Sequence, residues 1–225
     1  MKWIKIATAG LLLIALAVVA IAYHRTAAWR PQTQSARYRD RLLQNSNYRA
    51  ALAYSALGDL ALKQNRLNEA EGFYRKAVVS EAASPQAHYG MAKVLTIRRN
   101  FDAAIAEYRE AIELDPYEGE YQLSLANILM VQGQFDAAMQ YFEQSLKNRP
   151  DPQVHDRLGR LLAAQGRLDE AIRHFRAALA SDHEFVPAHQ GLAVAFAEKG
   201  DAARASYHQK EMARLLKAQR GGAVR

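Results

Sequence analysis

The chain has 225 residues, half of them hydrophobic, with 12 glycines and 6 prolines. This composition excludes a disordered or collagen-like chain and supplies enough apolar residues for a buried core. The sequence contains no cysteine, which excludes disulfides, thiolate metal ligands, cysteine nucleophiles and cysteine-linked lipid anchors.

The formal net charge of +7 does not come from the main body of the sequence. Basic residues outnumber acidic ones before residue 51, whereas residues 51–198 carry more acidic than basic side chains. A nucleic-acid-binding domain concentrates positive charge on its folded surface, because phosphate neutralisation dominates its affinity. The charge distribution therefore predicts no nucleic-acid partner.

The first feature along the chain is an uncharged apolar run from Ile6 to Tyr23. Its length suffices for a transmembrane helix, which needs about 17–25 apolar residues. The two tryptophans of the chain, Trp3 and Trp29, bracket the run, and tryptophan favours the headgroup layer of a membrane. The sequence therefore predicts an N-terminal membrane anchor over residues 1–28, in contact with the membrane through residues 4–28.

A cleaved secretory signal peptide is the alternative, since the run ends in the small-x-small sequence Ala20-Ile21-Ala22. The basic start and this site favour export, which predicts a single-pass protein of the bacterial inner membrane with a periplasmic folded domain. The arginines that follow favour the cytoplasmic-facing alternative under the positive-inside rule. Residues 29–50 are predicted as a basic juxtamembrane segment, helical from about Ser35 to Gln44.

The remaining sequence is repetitive. The phrase GQFDAAMQYF at Gly133 returns as GRLDEAIRHF at Gly166. One alanine of the phrase recurs every 33 or 34 residues, at Ala70, Ala104, Ala138, Ala171 and Ala205. In the first four copies an aromatic residue follows four positions later, and a small residue three positions after that. A period of this length indicates a repeat architecture.

Each repeat is predicted to be a helical hairpin. Apolar and small residues recur at intervals of three and four on both sides of a break, as on the face of a helix. At the break, Gly133, Gly166 and Gly200 can adopt the left-handed conformation that ends a helix. Asp136 and Asp169 then lie near the start of the next helix, where a carboxylate is favourable. A hairpin cannot bury both faces alone, so these units must stack.

The period, with Leu-Gly or Leu-Ala in the first helix, Ala-x3-Tyr/Phe-x2-Ala in the second and a proline near the end, resembles the tetratricopeptide repeat family. The resemblance implies an all-α fold, a right-handed superhelical solenoid of about five helical hairpins, here preceded by one N-terminal transmembrane helix. The repeat domain is predicted over residues 51–219, with a tail over residues 220–225. Its units are expected at residues 51–84, 85–118, 119–151, 152–185 and 186–219.

The histidines are candidate metal ligands. The family's usual first-helix tryptophan is replaced in the five units by Tyr54, His88, Gln122, His155 and His189. Neighbouring copies are expected roughly a helix diameter apart, about 10 Å, which is too far to share one metal ion. A zinc-protease-like start at His183 has Pro187 where the second histidine belongs. The sequence therefore predicts no catalytic, cofactor or metal site, and a chain that is not an enzyme.

In this family the first helices line a concave groove that binds extended peptides or partner helices, which implies that exposed first-helix side chains carry the function. The predicted groove residues are Asp59, Lys63, Tyr89, Lys93, Ile97, Leu123, Asn127, Met130, Arg157 and Arg160. With the anchor, they predict a membrane-tethered scaffold that binds a protein partner and supports assembly of an envelope complex. A secreted, soluble assembly factor that self-associates is the alternative.

Overall fold

The computed structural model describes residues 45–222, with side chains through residue 219, and every helix or strand in this range is an α-helix. The helices are α1 (Ser46–Lys63), α2 (Leu67–Ser80), α3 (Pro85–Ile97), α4 (Phe101–Leu114), α5 (Gly119–Val131), α6 (Phe135–Asn148), α7 (Pro152–Ala164), α8 (Leu168–Ser181), α9 (Val186–Glu198) and α10 (Ala202–Gly222). Each odd-numbered helix packs most extensively against the even-numbered helix that follows it. The predicted all-α fold of helical hairpins is therefore confirmed for the described residues.

The helices divide into two compact units, with the boundary between Pro116 and Tyr117. In the first unit, α3 packs against both helices of the α1–α2 hairpin. In the second unit, α7 packs on α6, and α9 packs on both α7 and α8. Hairpins therefore stack within each unit, as the sequence predicts.

A residue in the left-handed conformation follows the first helix of every hairpin. In the last three hairpins it is glycine, with φ of 71° at Gly133, 75° at Gly166 and 77° at Gly200. Asn65 and Arg99 occupy the same place in the first two hairpins, with φ of 57° and 62°. The predicted glycine helix stops are confirmed. The two other residues show that hairpin packing can impose this conformation where glycine is absent.

The first helix begins earlier than the repeat pattern suggests. α1 starts at Ser46, and the side chain of Asn45 caps it by accepting a hydrogen bond of 2.9 Å from the backbone N–H of Asn47. The start of α1 therefore falls within residues 29–50. The division of the chain into an anchor, a basic segment, five repeat units and a tail stays a prediction.

The structure contradicts the expected localisation. Within residues 45–222, no helix is long and apolar enough to cross a membrane. The two longest, α1 and α10, carry charged side chains within their length, and charge is costly in hydrocarbon. The prediction of a single-pass inner-membrane protein, periplasmic or cytoplasmic-facing, is therefore wrong on this finding. Residues 4–28 and the predicted helix from Ser35 to Gln44 lie outside the described residues.

In the second unit, an aromatic ring fills the cleft between two first helices. Phe175 of α8 is 1% exposed, and its ring lies against Gly159 of α7 and Gly191 of α9. A Cβ atom added to Gly159 would lie 2.7 Å from this ring, and one added to Gly191 would lie 2.4 Å from it. Both distances are shorter than carbon atoms approach in a packed interior, so glycine is what lets α7 and α9 close around the ring.

The first unit uses the same packing with a tyrosine. Tyr74 of α2 is fully buried, and its ring lies between Gly58 of α1 and Gly90 of α3. Added Cβ atoms would lie 2.6 Å and 2.0 Å from the Tyr74 ring, respectively. In both units the two glycines lie 32 residues apart in the sequence, one in the first helix of the ring's own hairpin and one in the first helix of the next, and both make room for the aromatic ring.

We predict that Gly191→Ala destabilises the protein by about 1–3 kcal/mol, the usual cost of overpacking a core. The added methyl group must displace the Phe175 ring or separate α9 from α8. The change in the free energy of unfolding can be measured by urea denaturation of the full chain, followed by circular dichroism.

Gly72→Ala is the matched control. Gly72 is an exposed glycine of α2, and an added Cβ atom meets nothing within 4 Å. Because alanine is the better helix former by about 0.5–1 kcal/mol, this variant is expected to be as stable as the parent or more stable. Equal destabilisation by the two substitutions would contradict the packing argument.

Candidate partner-binding surface

In the first unit, three predicted groove residues form one bonded network. The Nζ atom of Lys93 donates to Oδ1 of Asp59 at 2.6 Å, and the same oxygen accepts a hydrogen bond of 2.8 Å from the hydroxyl of Tyr74. The Nζ atom of Lys93 also lies 4.8 Å from the centre of the Tyr89 ring, within the range of a cation–π contact. The structure thus brings together Asp59, Tyr89 and Lys93, and the two charges offset each other.

Tyr74 anchors this network from the core. Its ring is buried, and its hydroxyl reaches the partly exposed Asp59. Burial, together with the Asp59 carboxylate, raises the pKa of Tyr74 far above its ordinary value, so the hydroxyl stays protonated and donates. The repeat pattern predicts only a packing role for Tyr74. The sequence does contain a clue to this second role, because Tyr74 and Tyr108 carry a hydroxyl group at the repeat position where Phe142 and Phe175 carry none.

The other two predicted residues of the first unit lie at helix ends. Lys63 is exposed in the last turn of α1. Ile97 is the last residue of α3 and is 53% exposed. Exposed Leu60 lies in the same part of α1 as Lys63. These side chains offer a cation and apolar surface beside the network of Asp59 and Lys93.

In the second unit, two arginines are held by neighbouring first helices. Nη1 of Arg157 donates to Oδ1 of Asn127 at 2.8 Å, which connects α7 with α5. Nη2 of Arg160 lies 3.3 Å from the carbonyl oxygen of Pro187 and 3.4 Å from Oε1 of Gln190, which connects α7 with α9. Both arginines are exposed, so their guanidinium groups are positioned by the protein and still accessible.

A carboxylate lies beneath one of these arginines. Asp156 is 8% exposed, and its Oδ2 atom accepts a hydrogen bond of 2.8 Å from Nε of Arg160. Its Oδ1 atom is buried and has no hydrogen-bond partner within the described part of the chain. A buried acceptor is normally paired. This oxygen can therefore accept a hydrogen bond from a water molecule or from a donor that reaches the surface beside Arg160.

Apolar side chains complete the surface of the second unit. Leu123 is half-buried, whereas Met130 packs against the core and is a structural residue as much as a surface one. Sequence analysis missed Val194, which is 51% exposed. Val194 and Met212 line a shallow cavity of about 320 Å³ between α9 and α10. Its surface position could have been predicted from the repeat, because Val194 in the last unit is equivalent to Arg160 in the preceding unit.

At three of the aligned first-helix positions, the side chain contacts a residue 19 positions later, in the second helix of the same hairpin. All three pairs contain histidine: His88–Glu107, His155–His174 and His189–His208. The sequence pattern compares histidines between first helices only and therefore does not predict a role for His174 or His208. No cluster of three or more potential metal-ligating side chains occurs among the residues that the structure describes.

The His88–Glu107 pair carries a proton on each histidine nitrogen. Nδ1 of His88 lies 2.7 Å from Oε2 of Glu107, and Nε2 lies 2.9 Å from the carbonyl oxygen of Ala82. Both oxygens only accept hydrogen bonds, so both nitrogens must donate, as in the imidazolium form. The hydrogen bond to Glu107 raises the pKa of His88 against the opposing effect of burial.

Three models of the tetratricopeptide repeat match the chain, over residues 33–88, 95–161 and 152–185. Together these matches span more than half of the sequence. No curated protein sequence matches it.

Several solved structures share the fold. The chain is 22% identical to YrrB, described as a TPR protein with an unusual peptide-binding site, with a TM-score of 0.64 over 79% of this chain and 91% of YrrB. MamA from Desulfovibrio magneticus is 20% identical, with a TM-score of 0.66 over 78% of this chain and 98% of its own. pilF of Pseudomonas aeruginosa is 20% identical, with a TM-score of 0.66 over 76% of this chain and 78% of the pilF chain. At these identities the likeness establishes the fold.

We predict that Glu107→Gln destabilises the protein by about 1 kcal/mol near pH 6, the scale of a partly exposed hydrogen bond to a charged group. The folded-state pKa of His88 is raised, so its contribution is complete below the unfolded-state pKa of about 6.5 and is lost as the pH rises through the folded-state value. Urea denaturation of parent and variant near pH 6 and near pH 9 measures both effects.

Glu113→Gln, in the exposed C-terminal part of the same helix α4, is the control for removing one carboxylate. Its effect on stability is expected to be small at both pH values. If the loss in Glu107→Gln were the same near pH 6 and near pH 9, the charged His88–Glu107 pair would be refuted.

Proposed function

The chain belongs to the tetratricopeptide repeat family, and on that premise we propose that it is a protein-binding scaffold whose first-helix surfaces hold a segment of a partner protein. Stacked helical hairpins present extended surfaces suited to such binding. Its role is then equilibrium recruitment of a partner into a multiprotein complex. That YrrB shares the fold and is described as having a peptide-binding site is consistent with this role.

The two positioned arginines of the second unit carry the proposal. A guanidinium has five N–H donors in a rigid fork that matches a carboxylate, and the bond from Arg157 to Asn127 occupies only one of them. Arg160 is held by Asp156 and Gln190. Because these bonds fix the side chains before a partner arrives, less conformational entropy is lost on binding. The partner segment is therefore expected to carry carboxylates.

The apolar surface beside the arginines gives the second requirement for the partner. Val194 and Met212 line the cavity between α9 and α10, and Leu123 adds half-buried apolar surface on α5. Apolar side chains that enter such pockets contribute most of the affinity of typical interfaces, whereas exposed charges contribute orientation. The proposed ligand is thus a segment that combines acidic with apolar side chains.

The surface of the first unit is expected to contribute differently. The charges of Asp59 and Lys93 compensate each other, so neither attracts a charged ligand strongly. Tyr89, Ile97 and Lys63 supply aromatic, apolar and cationic groups around this network. We propose that this surface makes weaker contacts and that the second unit determines which partner is bound.

The proposal is tested by selecting displayed random peptides against the full chain and measuring the affinity of the enriched sequences. Peptides with acidic and apolar residues should be enriched. The double variant Arg157→Ala/Arg160→Ala should bind them at least about tenfold more weakly, since a hydrogen bond to a charged group contributes about 1.5–3 kcal/mol.

Arg173→Ala is the matched control, because Arg173 is an exposed arginine on the second helix α8 rather than on a first helix. It should bind the same peptides as the parent. Equal affinity of the double variant and the parent would reject the proposed surface. Selection of this chain's own sequence, with dimers in solution, would instead indicate self-association.

A further inference from the structure

Two histidine pairs in the second unit share one geometry. In α7 and α8, the Nδ1 atoms of His155 and His174 lie 3.1 Å apart. In α9 and α10, the Nδ1 atoms of His189 and His208 lie 3.0 Å apart. The ring centres are separated by 5.4 Å and 5.2 Å, and the rings are tilted by 39° and 45°. The same arrangement thus occurs in two successive hairpins.

Each gap between facing nitrogens holds at least one lone pair. Two N–H groups cannot point at each other at this distance, so one Nδ1 atom donates and the other accepts. In the second pair the accepting ring can be identified. Nε2 of His189 lies 3.4 Å from the carbonyl oxygen of His183, which only accepts, so Nε2 of His189 carries the proton and its Nδ1 carries the lone pair.

This arrangement matches the surroundings of a metal-bound imidazole. Histidine ligands typically donate their other N–H to a carbonyl or carboxylate oxygen, which fixes the ring for coordination. Burial lowers the pKa of His155, His174 and His208, and for the last two the facing histidine lowers it further. For these three rings the neutral form, which is the form that binds metal ions, is therefore favoured.

The distances between the facing nitrogens also suit an ion between them. With zinc–nitrogen bonds of about 2.0–2.1 Å in tetrahedral geometry, two ligand nitrogens lie roughly 3.3 Å apart. The nitrogens of the first pair are 3.1 Å apart and those of the second 3.0 Å, so their separation must grow by only a few tenths of an ångström. Each ring must also turn by roughly 35° to direct its lone pair at a tetrahedral ion, which lies beside the line between the two nitrogens. His189 is 6% exposed, but its three counterparts are only partly buried, which leaves a path from solvent.

We propose that the His155–His174 and His189–His208 pairs are two binding sites for a divalent late transition-metal ion, Zn²⁺, Ni²⁺ or Cu²⁺, each held by two facing Nδ1 atoms. Imidazole nitrogen is a preferred ligand of these ions. When the ion enters the second pair, the Nδ1 proton of His208 is exchanged through water to its Nε2, so both Nδ1 lone pairs become available. Water completes the coordination, since no third side-chain ligand is present among the described residues.

The charges around the pairs are mixed. His155 lies in the field of Asp151, and His174 in the fields of Glu170 and Arg173. For the second pair, His208 faces Glu211 and Arg176. Carboxylates and guanidinium groups thus oppose each other at both sites, and specific coordination rather than general attraction must supply the affinity. Mg²⁺, which prefers oxygen ligands, should not bind.

The His88–Glu107 pair of α3 and α4 provides an internal comparison. It occupies the same two positions, but Glu107 holds the proton on Nδ1 of His88 at 2.7 Å. This proton occupies the place that an ion would take in the other two pairs. The first unit is therefore expected to bind no such ion at this position.

The proposal is tested by isothermal titration of the full chain with Zn²⁺ and Ni²⁺ near neutral pH, with Mg²⁺ as the negative control. Variants copy the pair that the third hairpin has at these positions, Gln122 and Tyr141. The parent should bind two ions. His155→Gln/His174→Tyr and His189→Gln/His208→Tyr should each lose one of them, and the fourfold variant should lose both.

Two further measurements make the result decisive. Cu²⁺ bound to the parent should show coupling to two equivalent nitrogens by electron paramagnetic resonance, and this signal should disappear in the fourfold variant. His88→Gln and His183→Gln should keep both ions. If a pair exchange prevents folding, judged by circular dichroism, the single variants His174→Gln and His208→Gln take its place. Unchanged binding in the fourfold or single variants, or coupling to one nitrogen only, overturns the proposal.

Discussion

Burial of an aromatic ring against glycine sets how closely first helices approach each other within each unit. In the second unit, the Phe175 ring lies against Gly159 and Gly191, where any side chain would collide with it. Because nothing larger than hydrogen separates the ring from both helices, α7 and α9 come close enough for Arg160 to reach Gln190. The proposed binding surface thus depends on a packing contact in the core behind it.

The aromatic residue of this cleft is tyrosine in the first unit and phenylalanine in the second, and the surface beside it also differs between the units. The Tyr74 hydroxyl holds Asp59, which in turn holds Lys93, and the exposed charges are largely neutralised. Phe175 has no such hydroxyl. The equivalent of Asp59 on α7 is Arg160, whose charge is also offset, by Asp156. The neighbouring Arg157 instead bonds to the uncharged Asn127.

Local features of this fold could be read from the sequence, whereas contacts between helices could not. The hairpins and the left-handed stops at Gly133, Gly166 and Gly200 follow from residue spacing and backbone sterics, which act over a few residues. The bond between Asp59 and Lys93 joins residues 34 positions apart, and it depends on how far the aromatic ring separates α1 from α3. Periodicity places both residues on first-helix faces, but it cannot give that separation.

The histidine pairs illustrate the same limit and also a missed regularity. Whether His155 meets His174 depends on how α7 crosses α8, which no local pattern specifies. The 19-residue spacing is nevertheless the same in all three histidine pairs. The localisation error had another source. It rested on the apolar run near the N-terminus, whereas the described helices of the chain include none that could cross a membrane.

The paired histidines bridge the two helices of one hairpin, whereas each buried ring also joins its hairpin to the next, as Phe175 does through Gly191. A change in ring or glycine size alters the distance between hairpins and so affects every neighbouring contact. The third hairpin has Gln122 and Tyr141 at the positions that His155 and His174 occupy in the fourth. Such a difference need not alter the distance between hairpins, because the rings and glycines determine that distance. Selection can therefore place an ion pair, an amide or two imidazoles at these positions without changing the stacking. On this reasoning, a specific ligand is best sought where the repeats differ and where the stacking does not constrain the side chain.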